Sequence, residues 1–189
     1  MTSEELYKAL DYTTATRANR QIASQWVLDH PEAFPELLNI TFNIKREISH
    51  KAAWVVEFIC RKQLGKLYPH LDYFFENLQN ATKDQIVRPM ANLCELLSIA
   101  YYKKKDPQLV NILSETHKIN MTECSFDWLI NDQKVACQVH AMTALYYLGT
   151  EFDWIHPELK QIIQQNIHIG SAGYKARGRL VLSQITKFN

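Results

Sequence analysis

Apolar residues recur along most of this chain at intervals of three and four, the spacing that lines one face of an α-helix. Three stretches show it with the same opening. Leu71, Phe74 and Phe75 follow Pro69; Leu109, Ile112 and Leu113 follow Pro107; Leu159, Ile162 and Ile163 follow Pro157. A weaker copy follows Pro31, where Ala33 and Leu37 match and Glu36 does not. Proline suits the first turn of a helix, because its missing N–H would have no partner there. A second amphipathic run comes after each of these segments. Its apolar face is Ala52, Val55, Val56 and Ile59 in the first case, and Ile86, Met90, Leu93, Cys94 and Leu97 in the second. Val135, Val139, Met142 and Leu145 form the third, and Tyr174, Gly178, Val181, Leu182 and Ile185 the last. Ser49, Asp84, Asp132 and Ser171 are good N-cap types and mark where the second helices start. Residues 4–11 and 16–29 read as two earlier helices.

The prolines are regularly spaced. Pro31 to Pro69 is 38 residues, Pro69 to Pro107 is 38 again, and Pro107 to Pro157 is 50. The third unit thus carries an insertion, expected near 121–131. Small residues fall at matching places in the second helices: Ala53, Ala91, Ala141 and Gly178. Two helices in a period near 38 is the mark of a solenoid. On these residues, the stretch from Pro31 to Phe188 resembles the HEAT and armadillo class of repeat proteins. The resemblance implies an all-α fold, a right-handed superhelix of stacked antiparallel helix pairs. Residues 1–189 would form a single domain, with 1–30 as N-terminal capping helices and 31–189 as about four repeats.

Charge narrows the function classes only a little. The chain of 189 residues has 21 basic and 20 acidic side chains, a net charge of +1. It lacks the bulk basic excess of a dedicated duplex-binding domain. The opening Met1-Thr2-Ser3-Glu4-Glu5 is polar and acidic, unlike a secretory signal. The most apolar run, 52–60, is interrupted by Glu57 and is too short to span a bilayer. Cys60, Cys94, Cys124 and Cys137 show no CxxC spacing, so reduced, buried thiols in a cytoplasmic protein are expected.

Candidate chemistry is sparse. Cys137 and His140 share one helix face at i, i+3, but no second ligand pair accompanies them, so no metal and no cofactor is expected. His30, His70 and His156 adjoin helix-start prolines and suggest capping turns. Asp127 and Asp132 flank Trp128, and Asp153 precedes Trp154. A carboxylate beside an aromatic wall resembles, in outline, the DNA alkylation-repair proteins built from HEAT-like repeats. No catalytic residue can be carried over from that outline, and the two tryptophans read as fillers between repeats.

One charge pattern calls for a cause. Each second helix has a cation at or near its first turn: Lys51, Arg88, Lys134 and Lys175, with Arg177 and Arg179 close behind the last. A cation at a helix N-terminus is mildly unfavourable. Stacked helices would gather such residues on one rim suited to anions. The expected function is a non-catalytic scaffold that binds an acidic protein or peptide segment. The alternative is a nucleic-acid-binding or repair-like protein using the same cations against phosphates. No membrane partner is expected.

Overall fold

The computed structural model describes residues 3–14, 16–45, 47–131 and 133–188. The fold is all-helical, with no strand among the described residues. Among these residues eleven α-helices follow in order: α1 (Ser3–Leu10), α2 (Arg17–Asp29), α3 (Phe34–Phe42), α4 (Ser49–Lys62), α5 (Leu71–Asn77), α6 (Asp84–Ser98), α7 (Pro107–Ile112), α8 (Glu115–Ile130), α9 (Val135–Leu148), α10 (Ile155–Asn166) and α11 (Ala172–Phe188). The four second helices foreseen from the apolar pattern are α4, α6, α9 and α11. The two upstream helices are α1 and α2. No helix among the described residues is long and apolar enough to cross a membrane.

The helix-start prolines sit where their chemistry suits them. Pro107 opens α7, where the Asp106 carboxylate accepts from the Gln108 and Leu109 N–H groups at 3.0 and 3.2 Å. Pro31 and Pro69 lie in 3-10 turns that lead into α3 and α5. Pro157 falls in the first turn of α10. Of the foreseen caps, Ser171 accepts from the Tyr174 N–H at 3.3 Å. Ser49 is instead the buried first residue of α4, which has Ile48 at its N-cap. Asp132 lies outside the described residues.

The chain divides into two compact units, residues 1–93 and 94–189, with the boundary inside α6. In the first unit α4 packs against both α2 and α3. Ala52, Ala53, Val55, Val56 and Ile59 bury one side of α4, and Val27, Leu37 and Leu38 are buried on the helices that cover it. In the second unit α9 is the hub, packed on α8, α10 and α11. That is why its sequence, Val-Ala-Cys-Gln-Val-His-Ala-Met-Thr-Ala-Leu-Tyr-Tyr-Leu, is apolar nearly all round rather than striped. Small residues serve close approach there. A Cβ added to Gly178 would lie 3.0 Å from the Ile163 side chain of α10.

The segment expected as an insertion, 121–131, falls almost wholly within one helix, α8, which starts at Glu115. Ser114 caps it, accepting from the His117 N–H, while His117 returns a ring nitrogen to the Ser114 N–H at 3.2 Å. Upstream, α6 ends in one turn of π-helix, Ile99–Lys103. Lys105 then takes a left-handed φ of 53°, which lets the Asp106 N–H reach back to the Ala100 carbonyl at 2.9 Å.

Candidate functional site

Two helices of the first unit bring cations to one cavity. Thr16 caps α2 by accepting from the Asn19 N–H at 3.2 Å, which fixes Arg17 and Arg20 in the first turn and just beyond it. On α4, Trp54, Phe58 and Arg61 are spaced i, i+4 and i+7, and so share a face; Glu57 and Lys62 flank that face. Together with Arg88 of α6 they line a cavity of about 450 Å³. Among the described residues its walls therefore carry five cations and one carboxylate.

The single carboxylate is already committed. Glu57 is only 5% exposed, and Arg88 holds it with a bidentate pair of hydrogen bonds at 3.0 and 2.8 Å. The remaining cations rest on aromatic rings or face solvent. The Arg20 guanidinium lies 5.7 Å from the centre of the Trp54 ring, and the Lys62 ammonium 4.9 Å from that of Phe58. Arg17, Arg61 and Lys62 form no ion pair among the described residues. Arg61 and Lys62 complement the C-terminal end of α4. Arg17 and Arg20 stand at the positive end of α2, whose first turn has no acid, and the Arg20 Nε donates to the Thr16 carbonyl at 3.5 Å. Mutual repulsion of such a cluster is relieved by an anion.

The six cations expected at one rim are divided. Lys51 and Arg88 belong to the first unit; Lys134, Lys175, Arg177 and Arg179 belong to the second. Lys51 is occupied internally, donating to the Tyr12 carbonyl at 2.7 Å and lying 5.0 Å from the centre of the Tyr12 ring. Burial pushes the Tyr12 hydroxyl up to about 12. Arg88 is bound to Glu57. Arg177 donates to Glu95 at 3.2 Å and also to Thr143. Lys134 is the exposed N-cap of α9. Arg179 is exposed and Lys175 half-buried, and neither makes an ion pair among the described residues.

Two buried carboxylates account for part of the cation pattern. Glu57 lies on α4 and Glu95, 38 residues later, on α6. Both are buried, and each has a side-chain partner on a later helix. Arg88 serves Glu57, while His140 of α9 serves Glu95 with Arg177 of α11 beside it. Burial alone would raise the Glu95 pKa, but His140, Thr143 and Arg177 outweigh it and hold the carboxyl below its ordinary range. A second buried group lies nearby in sequence. Lys118 donates to the Tyr101 hydroxyl at 2.8 Å and to Glu151 at 2.9 and 3.0 Å. Tyr102 donates to Glu151 at 2.6 Å. Glu95 is buried, whereas Glu151 is exposed, and in both clusters the charged groups bond one another.

The other expectations resolve at the same level. All four cysteines are buried outside any disulfide among the described residues, and burial pushes the Cys124 thiol up to about 12. Cys137 is buried and His140 is engaged with Glu95; no group of three or more His, Cys, Asp or Glu could hold a metal among the described residues. Trp128 is buried packing, whereas Trp154 is 55% exposed and stacks on Phe126 with ring centres 5.6 Å apart. Sequence reasoning missed Arg17, Arg20, Trp54, Phe58, Arg61 and Lys62. Their signal was the i, i+4, i+7 row of two aromatics and an arginine on α4.

In comparison with known proteins, the chain matches no family model, no curated protein and no solved structure.

Proposed function

We propose that this protein is a non-catalytic helical-repeat binding module, its helix pairs stacked in the HEAT or armadillo manner, that takes an anionic segment of a macromolecular partner in the cavity between α2 and α4. The observation that carries this reading is the imbalance of that cavity, five cations against one carboxylate in a chain of net charge +1. The one carboxylate is tied to Arg88, so no free general base faces the cavity among the described residues, which supports binding over catalysis. Two partner classes carry such a segment, an acidic protein and a nucleic acid, and the rings of Trp54 and Phe58 in the lining favour the nucleic acid.

The test replaces two exposed cations that have no ion-pair partner among the described residues. Purified protein and the Arg17→Glu/Arg61→Glu variant are titrated with a polyglutamate peptide and with a labelled oligonucleotide at low salt. The variant is expected to lose at least about tenfold in affinity for whichever anion binds, with an unchanged helical circular dichroism spectrum. Equal affinity in the two proteins, or no binding of either anion to the wild type, overturns the reading.

A further inference from the structure

We infer that the anion taken by this cavity is the phosphate of a nucleotide in a single strand, whose base lies against the Trp54 and Phe58 rings; this rests on the reading of the cavity as the anion site. Four of its five cations are arginines. The planar guanidinium fork matches phosphate oxygens two at a time, whereas lysine acts as a point charge. Carboxylate segments would be served as well by lysine, of which the lining has one.

The aromatic content separates the two partner classes further. Trp54 and Phe58 are both half-buried and both line the cavity. Both rings already carry a cation, Arg20 on Trp54 and Lys62 on Phe58. Each of the two rings thus has a cation beside it in the lining. That is the arrangement single-strand binding uses: cations follow the phosphates, and unpaired bases stack on aromatics. An acidic peptide has no use for the rings. At about 450 Å³ the cavity is within the range that encloses a small molecule, and suits one nucleotide unit rather than the side of a duplex. The stacking surface also requires a base free of its pair.

The experiment compares strands of equal charge. Fluorescence anisotropy is read for a labelled single strand of about ten nucleotides, an abasic strand of the same length, a duplex, a free nucleoside monophosphate and a polyglutamate peptide. The intact strand is expected to bind about tenfold or more tightly than the abasic strand. Trp54→Leu is expected to erase that difference, and Arg17→Glu/Arg61→Glu to weaken both strands alike. Because the abasic comparison is made on the wild-type protein, a folding defect in the Trp54 variant leaves the test intact. Saturable binding of the free nucleotide, competing with the strand, would identify the mononucleotide as sufficient for the same chemistry. Equal affinity for abasic and intact strands overturns this inference and leaves the anion-binding function standing. Preference for polyglutamate does the same in favour of an acidic protein partner. Failure of every anion to bind removes both.

Discussion

At the scale of single residues, the buried carboxylates decide how much of the cation pattern is structural. Glu95 is 8% exposed, and its lowered pKa reflects partners that overcome burial: the hydrogen bond and charge of His140, the Thr143 hydroxyl and the Arg177 charge. Glu151, which is exposed, is lowered too, by Tyr102 and Lys118 acting against partial desolvation. A carboxylate with a lower pKa folded than unfolded stabilises the fold above its unfolded value, about 4.3 for glutamate. That contribution is lost as pH falls through the folded value. Urea midpoints measured from pH 7 to pH 3 are therefore expected to hold down to about pH 5 and then drop. Glu95→Gln is expected to lower the midpoint at pH 7 and flatten the acid limb. An acid limb as steep in the variant as in the wild type would show that the Glu95 cluster contributes nothing to it. The same reasoning sets Arg88 apart from the other cavity cations. Removing it strands the buried Glu57 carboxylate, which costs several kcal/mol, so loss of binding in an Arg88 variant would not distinguish recognition from folding.

At the scale of elements, close packing accounts for what the apolar pattern could and could not foretell. The second helices α4, α6, α9 and α11 were legible because their apolar positions recur at helical spacing and because Asp84 and Ser171 mark two of their starts. The extent of α8 was not. Its capping box has His117 at the third position, where the sequence signature is Glu or Gln, and no turn dipeptide separates it from α7. The join between α9 and α10 was equally hidden, since it depends on a side-chain approach. Gly149 caps α9 with an ordinary φ of −65°, so its lack of a side chain is not a matter of backbone freedom. A Cβ there would overlap the His156 ring. That ring is buried, stacks on Tyr146 with centres 5.6 Å apart, and bonds the Tyr146 carbonyl at 2.9 Å. Gly149→Ala is accordingly expected to destabilise the protein by about 1–3 kcal/mol, the cost of overpacking. In a His156→Ala background the same substitution is expected to cost little. Chemical denaturation of the four proteins of that cycle measures the coupling, and an additive result would mean that the approach of His156 is not what keeps glycine at this position.

At the scale of the whole molecule, the near-zero net charge and the basic cavity have to be considered together. A chain of net charge +1 exerts little long-range pull on a polyanion. Recognition must come from local contacts, and the number of those contacts can be counted thermodynamically. The candidate cations were only half legible in sequence for the same reason. Residues at or near helix starts, such as Lys51 and Arg88, could be picked out by register, but their partners Tyr12 and Glu57 are contributed by other segments of the chain. The cavity itself arises where the start of α2 meets the end of α4, a convergence that no linear spacing displays. Each phosphate neutralised on a single strand contributes about −0.7 to the slope of log K against log salt. The lining has five cations, one of them paired with Glu57, so a strand engaging the other four would give a slope of about −3. Arg17→Glu/Arg61→Glu removes two contacts and is expected to make that slope shallower by about 1.4 or more. The alternative is binding through the cations of α11, where Lys175, Arg179 and Lys187 stand without an acid in the helix. In that case the slope would be unchanged in this variant and reduced in Lys175→Glu/Arg179→Glu. The two pairs of substitutions lie in different units, so their salt slopes assign the anion to one or the other directly.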